Sequence, residues 1–262
     1  MRNAHFWPVW QLDCPIIRHV LILALDTSSP AGSLAVLRDD TIIATAPAWS
    51  GELYSSRMFR QLELLLHEHD LRLDAIEVFA VVVGPGSFTG LRVGLAAVKG
   101  WAEVYRKPIA AVSALEAVAA QSSLDVPALV PVLDARRAQI YFGIYERALS
   151  SNGRDLELAG QECVATPEEF FGALDSRYAA SELAIVTPVP ELLASAMSRY
   201  ETTRSTSGHF RVEQVSPVLA PHVARIGHGR ALEGKLVDSL ALDANYVRRS
   251  DAELHWKAPA GS

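Results

Sequence analysis

The stretches LALDTSSPAGSLAVL, at residues 23–37, and PVLDARRAQIYFGIY, at residues 131–145, align without a gap and place Asp26 opposite Asp134. In each stretch an apolar strand ends in Leu-Asp, a turn follows, and a second apolar strand returns. The predicted elements around both stretches also follow one order: three strands, a helix, a strand and a helix. We therefore predict an internal duplication, an α/β chain of two β-β-β-α-β-α lobes with mixed sheets.

The predicted lobes divide the chain at about residue 110. Residues 20–110 form the N-terminal lobe, and residues 111–262 form the C-terminal lobe with a tail. Residues 1–19 are irregular and lack the charged start and continuous apolar centre of a signal peptide, so we predict a disordered extension. The alternative hypothesis is that natural translation begins at Val20.

Composition argues against several classes of protein. Half of the 262 residues are apolar, which is enough for a large core, and the formal net charge of −6 argues against a free-standing nucleic-acid binder. Cys14 and Cys163 lie far apart, so neither a disulfide framework nor a structural zinc site is expected. No apolar run reaches the roughly 18 residues that a membrane span needs. We therefore predict a soluble, cytoplasmic protein.

The glycine-rich stretch GPGSFTG, at residues 84–90, fails the spacing tests for three chemistries. A P-loop needs Gly-Lys-Ser/Thr, whereas Lys99 lies well inside the following predicted helix. A nucleophile elbow needs glycines two residues on either side of Ser87, where Pro85 and Thr89 stand. The dinucleotide fingerprint has Thr89 in place of its third glycine. The stretch is better explained as a sharp turn from a strand into a helix that Ser87 or Thr89 caps.

Small residues recur along this predicted helix at a spacing of three or four. Gly90, Gly94 and Ala97 or Val98 form a smooth stripe on one helical face. Such a stripe lets another element approach closely, and the sequence leaves open whether that element is the protein's own sheet or a partner helix.

The two aligned aspartates begin turns of different composition. Strand–Asp–turn–strand units hold nucleotide phosphates and Mg²⁺ in duplicated ATPases and sugar kinases. The first turn, DTSS at 26–29, keeps small and hydroxyl residues, whereas the second, DARR at 134–137, carries two bulky cations. Half of a phosphate clamp is therefore missing, and we interpret the remaining positions as vestigial: Asp26, Thr27, Ser28 and Asp134.

Histidines are poorly placed for a metal site. His67 and His69 are two residues apart in a predicted helix and point to different sides, and the spacing of His222 and His228 is also unsuitable. The sequence does not single out a Cys–His or Ser–His–Asp set either. We predict no metal site and no catalytic residue in this chain.

Four motifs together resemble the bacterial TsaB (YeaZ) family: ILALDTSSPAGSLAVL at 22–37, GPGSFTGLRVGLAAVKG at 84–100, VLDARRAQIYFGIYE at 132–146 and YVRRSDAELHW at 246–256. The resemblance runs from Val20 to about Trp256. It implies the duplicated actin-like (ASKHA, ribonuclease H-like) fold. It also implies a non-catalytic subunit that pairs with TsaD, the paralogue that transfers the threonylcarbamoyl group to adenosine 37 of tRNAs reading codons that start with A. TsaE, an ATPase, joins that assembly.

The resemblance further implies where the partner binds. Two helices at about 53–69 and 89–106 pack against the equivalent helices of TsaD, and the same surface forms a homodimer when the chain is alone. No cofactor is expected on this chain; ATP or ADP and metal are expected on the partner subunits, and tRNA binds only through the complex. The implied interface residues are Tyr54, Met58, Leu62, Gly86, Ser87, Thr89, Gly90, Arg92, Gly94 and Val98. Many relatives have a histidine where this chain has Tyr54.

An enzyme of the same superfamily is the alternative: a glycoprotease-like hydrolase or a stand-alone ATPase. The catalytic relative carries two histidines at helical spacing for its metal, and this sequence has no such pair. The missing nucleophile elbow also weighs against a protease, and Arg136 and Arg137 weigh against an ATPase.

Overall fold

The first lobe is built on a five-stranded mixed sheet. The computed structural model describes residues 20–47, 54–148, 155–174, 183–203 and 210–248, so the predicted extension at residues 1–19 lies outside the described residues. The strands of this sheet are β1 (Leu21–Asp26), β2 (Ser33–Arg38), β3 (Thr41–Pro47), β4 (Val78–Gly84) and β5 (Ile109–Ser113). Their order is β3-β2-β1-β4-β5; β1, β2 and β3 form an antiparallel meander, and β4 and β5 run parallel to β1.

Three helices belong to this lobe: α1 (Tyr54–Glu68), α2 (Phe88–Tyr105) and α3 (Ala114–Ala119). Helix α1 buries apolar residues at helical spacing against the sheet: Met58, Leu62 and Leu65. Of the two predicted caps of α2, Ser87 and Thr89, the structure has Ser87, whose hydroxyl accepts a hydrogen bond from the Gly90 amide at 3.3 Å. The helix ends at Arg106, whose left-handed φ of 53° terminates it shortly before Pro108.

The second lobe repeats the first with a hairpin inserted. Its central strands lie in the order β10-β7-β6-β11-β12, with the same antiparallel and parallel pairings as the first sheet, and β8 and β9 form the hairpin. The strands are β6 (Ala128–Arg136), β7 (Gln139–Phe142), β8 (Tyr145–Ala148), β9 (Asp155–Leu158), β10 (Cys163–Ala165), β11 (Leu183–Thr187) and β12 (Arg211–Gln214). The helices are α4 (Pro167–Leu174), α5 (Glu191–Thr203) and α6 (Ala220–Leu232). The predicted duplication is confirmed, and each repeat adds one strand and one helix to the predicted unit. Within the described ranges, no helix is long and apolar enough to cross a membrane.

The two lobes share one of the hydrophobic cores. Helix α6, the last of the second repeat, packs on β1, β2, β4 and β5 of the first sheet, while α3 of the first repeat packs on β6 and β11. Ile22, Leu115, Leu129 and Val223 therefore belong to one continuous apolar cluster. The boundary predicted at residue 110 falls inside β5 and is placed too early, because β5 completes the first sheet through its parallel pairing with β4.

Candidate functional site

The first turn lies buried at the end of β1. The Asp26 carboxylate oxygen Oδ1 accepts hydrogen bonds from the Ser28 amide at 2.8 Å and from the Ser28 hydroxyl at 2.6 Å. Asp26, Thr27 and Ser28 are each at most 3% exposed. Among the described residues, neither Asp26 Oδ2 nor Thr27 Oγ1 finds a hydrogen-bond partner. Burial raises the pKa of the Asp26 carboxyl, although the two bonds from Ser28 oppose this effect.

The glycines of α2 and its leading loop close this turn. A Cβ atom added to Gly86 would lie less than 3.0 Å from the Ser28 carbonyl oxygen, and one added to Gly90 or Gly94 would lie equally close to Thr27. The Ser87 amide also donates to the Ser28 carbonyl at 2.7 Å. Helix α2 therefore approaches the turn at a distance that only glycine permits.

The structure corrects the predicted interface in one important respect. The stripe that begins with Gly90 and Gly94 does not lie on the surface, because this face of α2 packs on the protein's own first turn. Three predicted interface residues with large side chains are also buried, each at most 5% exposed: Met58 and Leu62 of α1 and Val98 of α2. These five residues are therefore unavailable to a partner in the folded chain. Gly86 is half-buried, and Tyr54 is the first residue of α1.

The second turn makes the same local bond but lies at the surface. Asp134 Oδ1 accepts the Arg136 amide at 2.7 Å, and the Arg136 guanidinium pairs with Asp134 Oδ2 at 3.1 Å. Arg136, Arg137 and Ala138 are exposed and all have left-handed φ angles of 56–63°. The carboxylate is thus occupied by its own turn, and the bulky side chains leave no cradle of small residues for a phosphate.

The outer face of α2 carries an exposed ridge of small and apolar residues. Ala96, Gly100 and Val104 follow one another four residues apart and are exposed, Val104 to 74%. A Cβ added to Gly100 would meet nothing within 4 Å, so the backbone here is open. On α1, Phe59 is 49% exposed and its ring packs edge-on against Trp101, with centroids 6.2 Å apart. We call this surface, made by Phe59, Ala96, Gly100, Trp101 and Val104, the outer ridge.

Sequence reasoning missed the outer ridge, although the signal was present. The i, i+4, i+8 spacing from Ala96 to Val104 is as regular as the spacing of the buried glycines. Small residues serve equally well for packing inside a protein and for packing between proteins. The sequence alone therefore could not decide which of the two small-residue faces of α2 pointed outward.

A polar cluster lies at the N-terminal end of α2. Ser87, Thr89 and Arg92, all predicted interface residues, are exposed there. The guanidinium carbon of Arg92 lies 3.7 Å from the centroid of the Phe88 ring, and Arg92 Nε donates to the Tyr246 hydroxyl at 3.3 Å. Thr89 and Arg92 thus place exposed polar groups at one end of the outer ridge, and the Ser87 hydroxyl caps the helix there.

Metal ligands do not converge in the part of the chain that the structure describes. There, no three histidine, cysteine, aspartate or glutamate side chains are grouped so as to hold an ion. His67 and His69 are exposed near the end of α1. On α6, burial and the neighbouring Arg225 lower the pKa of His222 to about 4, so its imidazole is neutral at neutral pH.

The duplicated sheets, with strand order 3-2-1-4-5 in each repeat, have the actin-like (ASKHA) fold. A solved structure described as YeaZ from Pseudomonas aeruginosa superposes with a TM-score of 0.69 at 24% identity, covering 87% of this chain and 99% of that one. A family model described as TsaD: tRNA N6-adenosine threonylcarbamoyltransferase matches residues 43–209. The chain belongs to this family and, within it, to the TsaB (YeaZ) group.

Sequence comparison finds relatives with the TsaB name. The tRNA threonylcarbamoyladenosine biosynthesis protein TsaB of Bacillus subtilis is 38% identical over 125 residues, which cover 48% of this chain and 55% of that protein. The protein of the same name from Escherichia coli is 31% identical over 128 residues, covering 48% of this chain and 55% of its own length. The matched part of the chain thus spans about half the length of these two curated relatives.

Proposed function

We propose that this chain is a non-catalytic scaffold subunit of the machinery that makes threonylcarbamoyladenosine at position 37 of tRNAs reading codons that start with A. It pairs with TsaD, and TsaE joins the pair. The observation that carries this proposal is the outer ridge on α1 and α2, an exposed apolar surface on a chain whose first turn is covered by α2 and whose second turn is paired with Arg136. The names of its relatives supply the pathway.

The outer ridge has the chemistry of a helix-packing surface. Ala96 and Gly100 have almost no side chain, so a partner helix can approach the α2 backbone closely. Phe59 and Val104 flank them and leave large apolar areas in water, which marks a contact surface on a folded protein. Arg92 and Thr89 add exposed polar groups at one end of the ridge. The same ridge offers a self-complementary surface for a homodimer when TsaD is absent.

Both turns support a role without chemistry of their own. The Asp26 carboxylate lies beneath α2, and Asp134 is paired with Arg136, so neither presents a free carboxylate to a nucleotide-bound metal. Ser87, the serine of the glycine-rich stretch, caps α2 with its hydroxyl. In this proposal ATP or ADP and metal reside on the partner subunits, tRNA binds through the complex, and the assembly works in the cytoplasm. A stand-alone ATPase or hydrolase is disfavoured by the same observations.

Substitutions on the outer ridge test the pairing. Gly100→Leu fills the open approach to the α2 backbone, and Val104→Glu places a charge at a 74%-exposed position. We expect each to weaken co-purification with the cognate TsaD about tenfold or more, while the melting temperature of the isolated chain does not fall. Leu232→Glu, at a 56%-exposed leucine on α6, is the matched control and should leave the complex intact.

Reconstitution tests the function itself. Threonylcarbamoylation of a tRNA by TsaD and TsaE should require this chain, and both ridge variants should fail to support it. Equal modification without the chain would overturn the functional assignment. Undiminished TsaD binding by both ridge variants, with the reaction still dependent on the chain, would overturn only the position of the interface.

A further inference from the structure

A segment near the C-terminus passes from the first lobe to the second. Leu242 is 1% exposed and belongs to the apolar core of the first sheet. Three residues later, the Asn245 amide donates to the Val83 carbonyl at 2.7 Å, beside the last residue of β4. Gly84 has a φ of 130°, and a Cβ there would lie less than 3.0 Å from the Asn245 carbonyl oxygen. The glycine thus leaves the space in which this segment docks.

The Asn245 side chain reaches the opposite lobe. Its Nδ2 donates to Glu162 Oε2 at 2.5 Å, in the connection between β9 and β10. The other oxygen of Glu162 accepts the Tyr145 hydroxyl at 2.7 Å and the Ser113 hydroxyl. One residue therefore binds the first lobe through its backbone and the second lobe through its side chain, at a carboxylate that is held in place by two further donors.

The residues that follow continue the crossing. The Tyr246 ring lies against Phe88 at the start of α2, with centroids 4.9 Å apart. Arg248 Nη1 donates to the Ala135 carbonyl at 3.1 Å, in the second turn. Between Asn245 and Arg248 the chain thus joins the end of β4, the start of α2 and the turn of the second lobe.

We propose that residues 243–248 form a strap that sets the relative orientation of the two lobes, with Asn245 as its positioning residue. The shared apolar core under α3 and α6 joins the lobes on one side. The strap joins them through hydrogen bonds to Val83 in β4, to Glu162 between β9 and β10, and to Ala135 in β6. Because Phe88 and Arg92 contact Tyr246, the strap also fixes the polar end of α2. This inference does not depend on which partner binds the outer ridge.

A charge exchange tests the bridge between Asn245 and Glu162. Asn245→Asp places a second carboxylate against Glu162, so the two groups repel. In the double variant with Glu162→Gln, the amide at position 162 donates to the carboxylate at position 245, which restores one hydrogen bond with its direction reversed. Spin labels on Asp40→Cys and Glu157→Cys, exposed sites in the two lobes, report the inter-lobe distance in a full-length Cys14→Ser, Cys163→Ser background. We expect Asn245→Asp to broaden the distance distribution about twofold and the double variant to return it to the starting width.

Controls separate the strap from a general loss of stability. Asp243→Asn changes a carboxylate in the same segment whose bond is to the neighbouring Ala244 amide, and it should leave the distribution narrow. An unchanged width in Asn245→Asp, or equal broadening in Asp243→Asn, would overturn the proposal. If Asn245→Asp does not fold, Arg248→Met gives the same test through the bond to Ala135. A narrow distribution in a folded Arg248→Met would then overturn it.

Discussion

The first turn, at Asp26, and the second turn, at Asp134, share one backbone hydrogen bond but differ in their burial and in the side chains beside them. The amide two residues after the aspartate donates to Oδ1 at 2.8 Å in the first turn and at 2.7 Å in the second. Asp26, Thr27 and Ser28 are buried, whereas Asp134 is half-buried and Arg136 and Arg137 are exposed. Duplication has thus preserved the local geometry, while the neighbouring helix decides whether the turn meets solvent.

The neighbouring helices explain the difference. Helix α2 brings Gly90 and Gly94 against the first turn, whereas α5, its counterpart in the second repeat, contains no glycine. A helix with side chains on every face cannot approach a turn backbone as closely. At the second turn, the Arg136 guanidinium instead pairs with Asp134 Oδ2 at 3.1 Å. The two turns thus differ in what surrounds the aspartate: α2 packs on the first turn, whereas the Asp134 carboxylate of the second is paired with Arg136.

Replacing Gly94 with leucine gives the largest effect expected from this comparison. A Cβ at this position would lie less than 3.0 Å from Thr27 Oγ1 inside the core, so the leucine must push α2 away from the first turn. We expect the free energy of unfolding to fall by about 3 kcal/mol or more, or the chain not to fold. Urea denaturation measures the loss.

Gly100→Leu is the matched control for this substitution. It makes the same change on the same helix at a position where an added Cβ meets nothing within 4 Å. Leucine also has the higher helix propensity, so stability should be unchanged or rise by up to about 1 kcal/mol. Equal destabilisation by both variants would show that α2 does not seal the first turn through its glycine face.

A smaller, pH-dependent effect is expected for Asp26→Asn. Burial raises the pKa of the Asp26 carboxyl in the folded state above its usual 3.8, so folding favours the protonated form. The stability that this group contributes is full below pH 3.8 and is lost as the pH rises through the raised value. Asparagine keeps an uncharged oxygen that accepts the Ser28 hydrogen bonds. Above the raised pKa, the free energy of unfolding of Asp26→Asn should therefore exceed that of the wild type by about 1.4 kcal/mol for each unit by which folding raises the pKa of Asp26.

Denaturation at about pH 4 and about pH 8 measures this difference. Asp26→Asn should be close to the wild type at the lower pH and more stable at the higher one. Asp40→Asn, an exposed aspartate in the turn between β2 and β3, serves as the control and should show no such divergence. If Asp26→Asn is instead less stable than the wild type at the higher pH, the ionised Asp26 carboxylate stabilises the first turn.

Sequence patterns predicted the parts of this molecule that repeat and missed those that depend on contacts between distant segments. The alignment of Asp26 with Asp134 predicted the duplication, and the spacing of GPGSFTG predicted a turn into a helix capped by Ser87 or Thr89, of which the structure has Ser87. The sequence does not decide whether Gly94 is buried, because its burial depends on Thr27, whose contact with α2 arises only in the folded lobe. The inter-lobe bond from Asn245 to Glu162 spans 83 residues and leaves no periodic signal.

The smallest effect is expected at the second turn, where Ala138 has a left-handed φ of 56° and an exposed methyl group. Glycine adopts this conformation without the clash between Cβ and backbone, so Ala138→Gly should stabilise the chain by about 1 kcal/mol. Ala120, also exposed, has a φ of −64° at the end of α3, where glycine only adds freedom to the unfolded chain. Ala120→Gly should therefore destabilise by about 0.5–1 kcal/mol. Opposite signs for these two identical substitutions would show that the second turn retains backbone strain, and equal signs would show that its left-handed run is already relaxed by its surroundings.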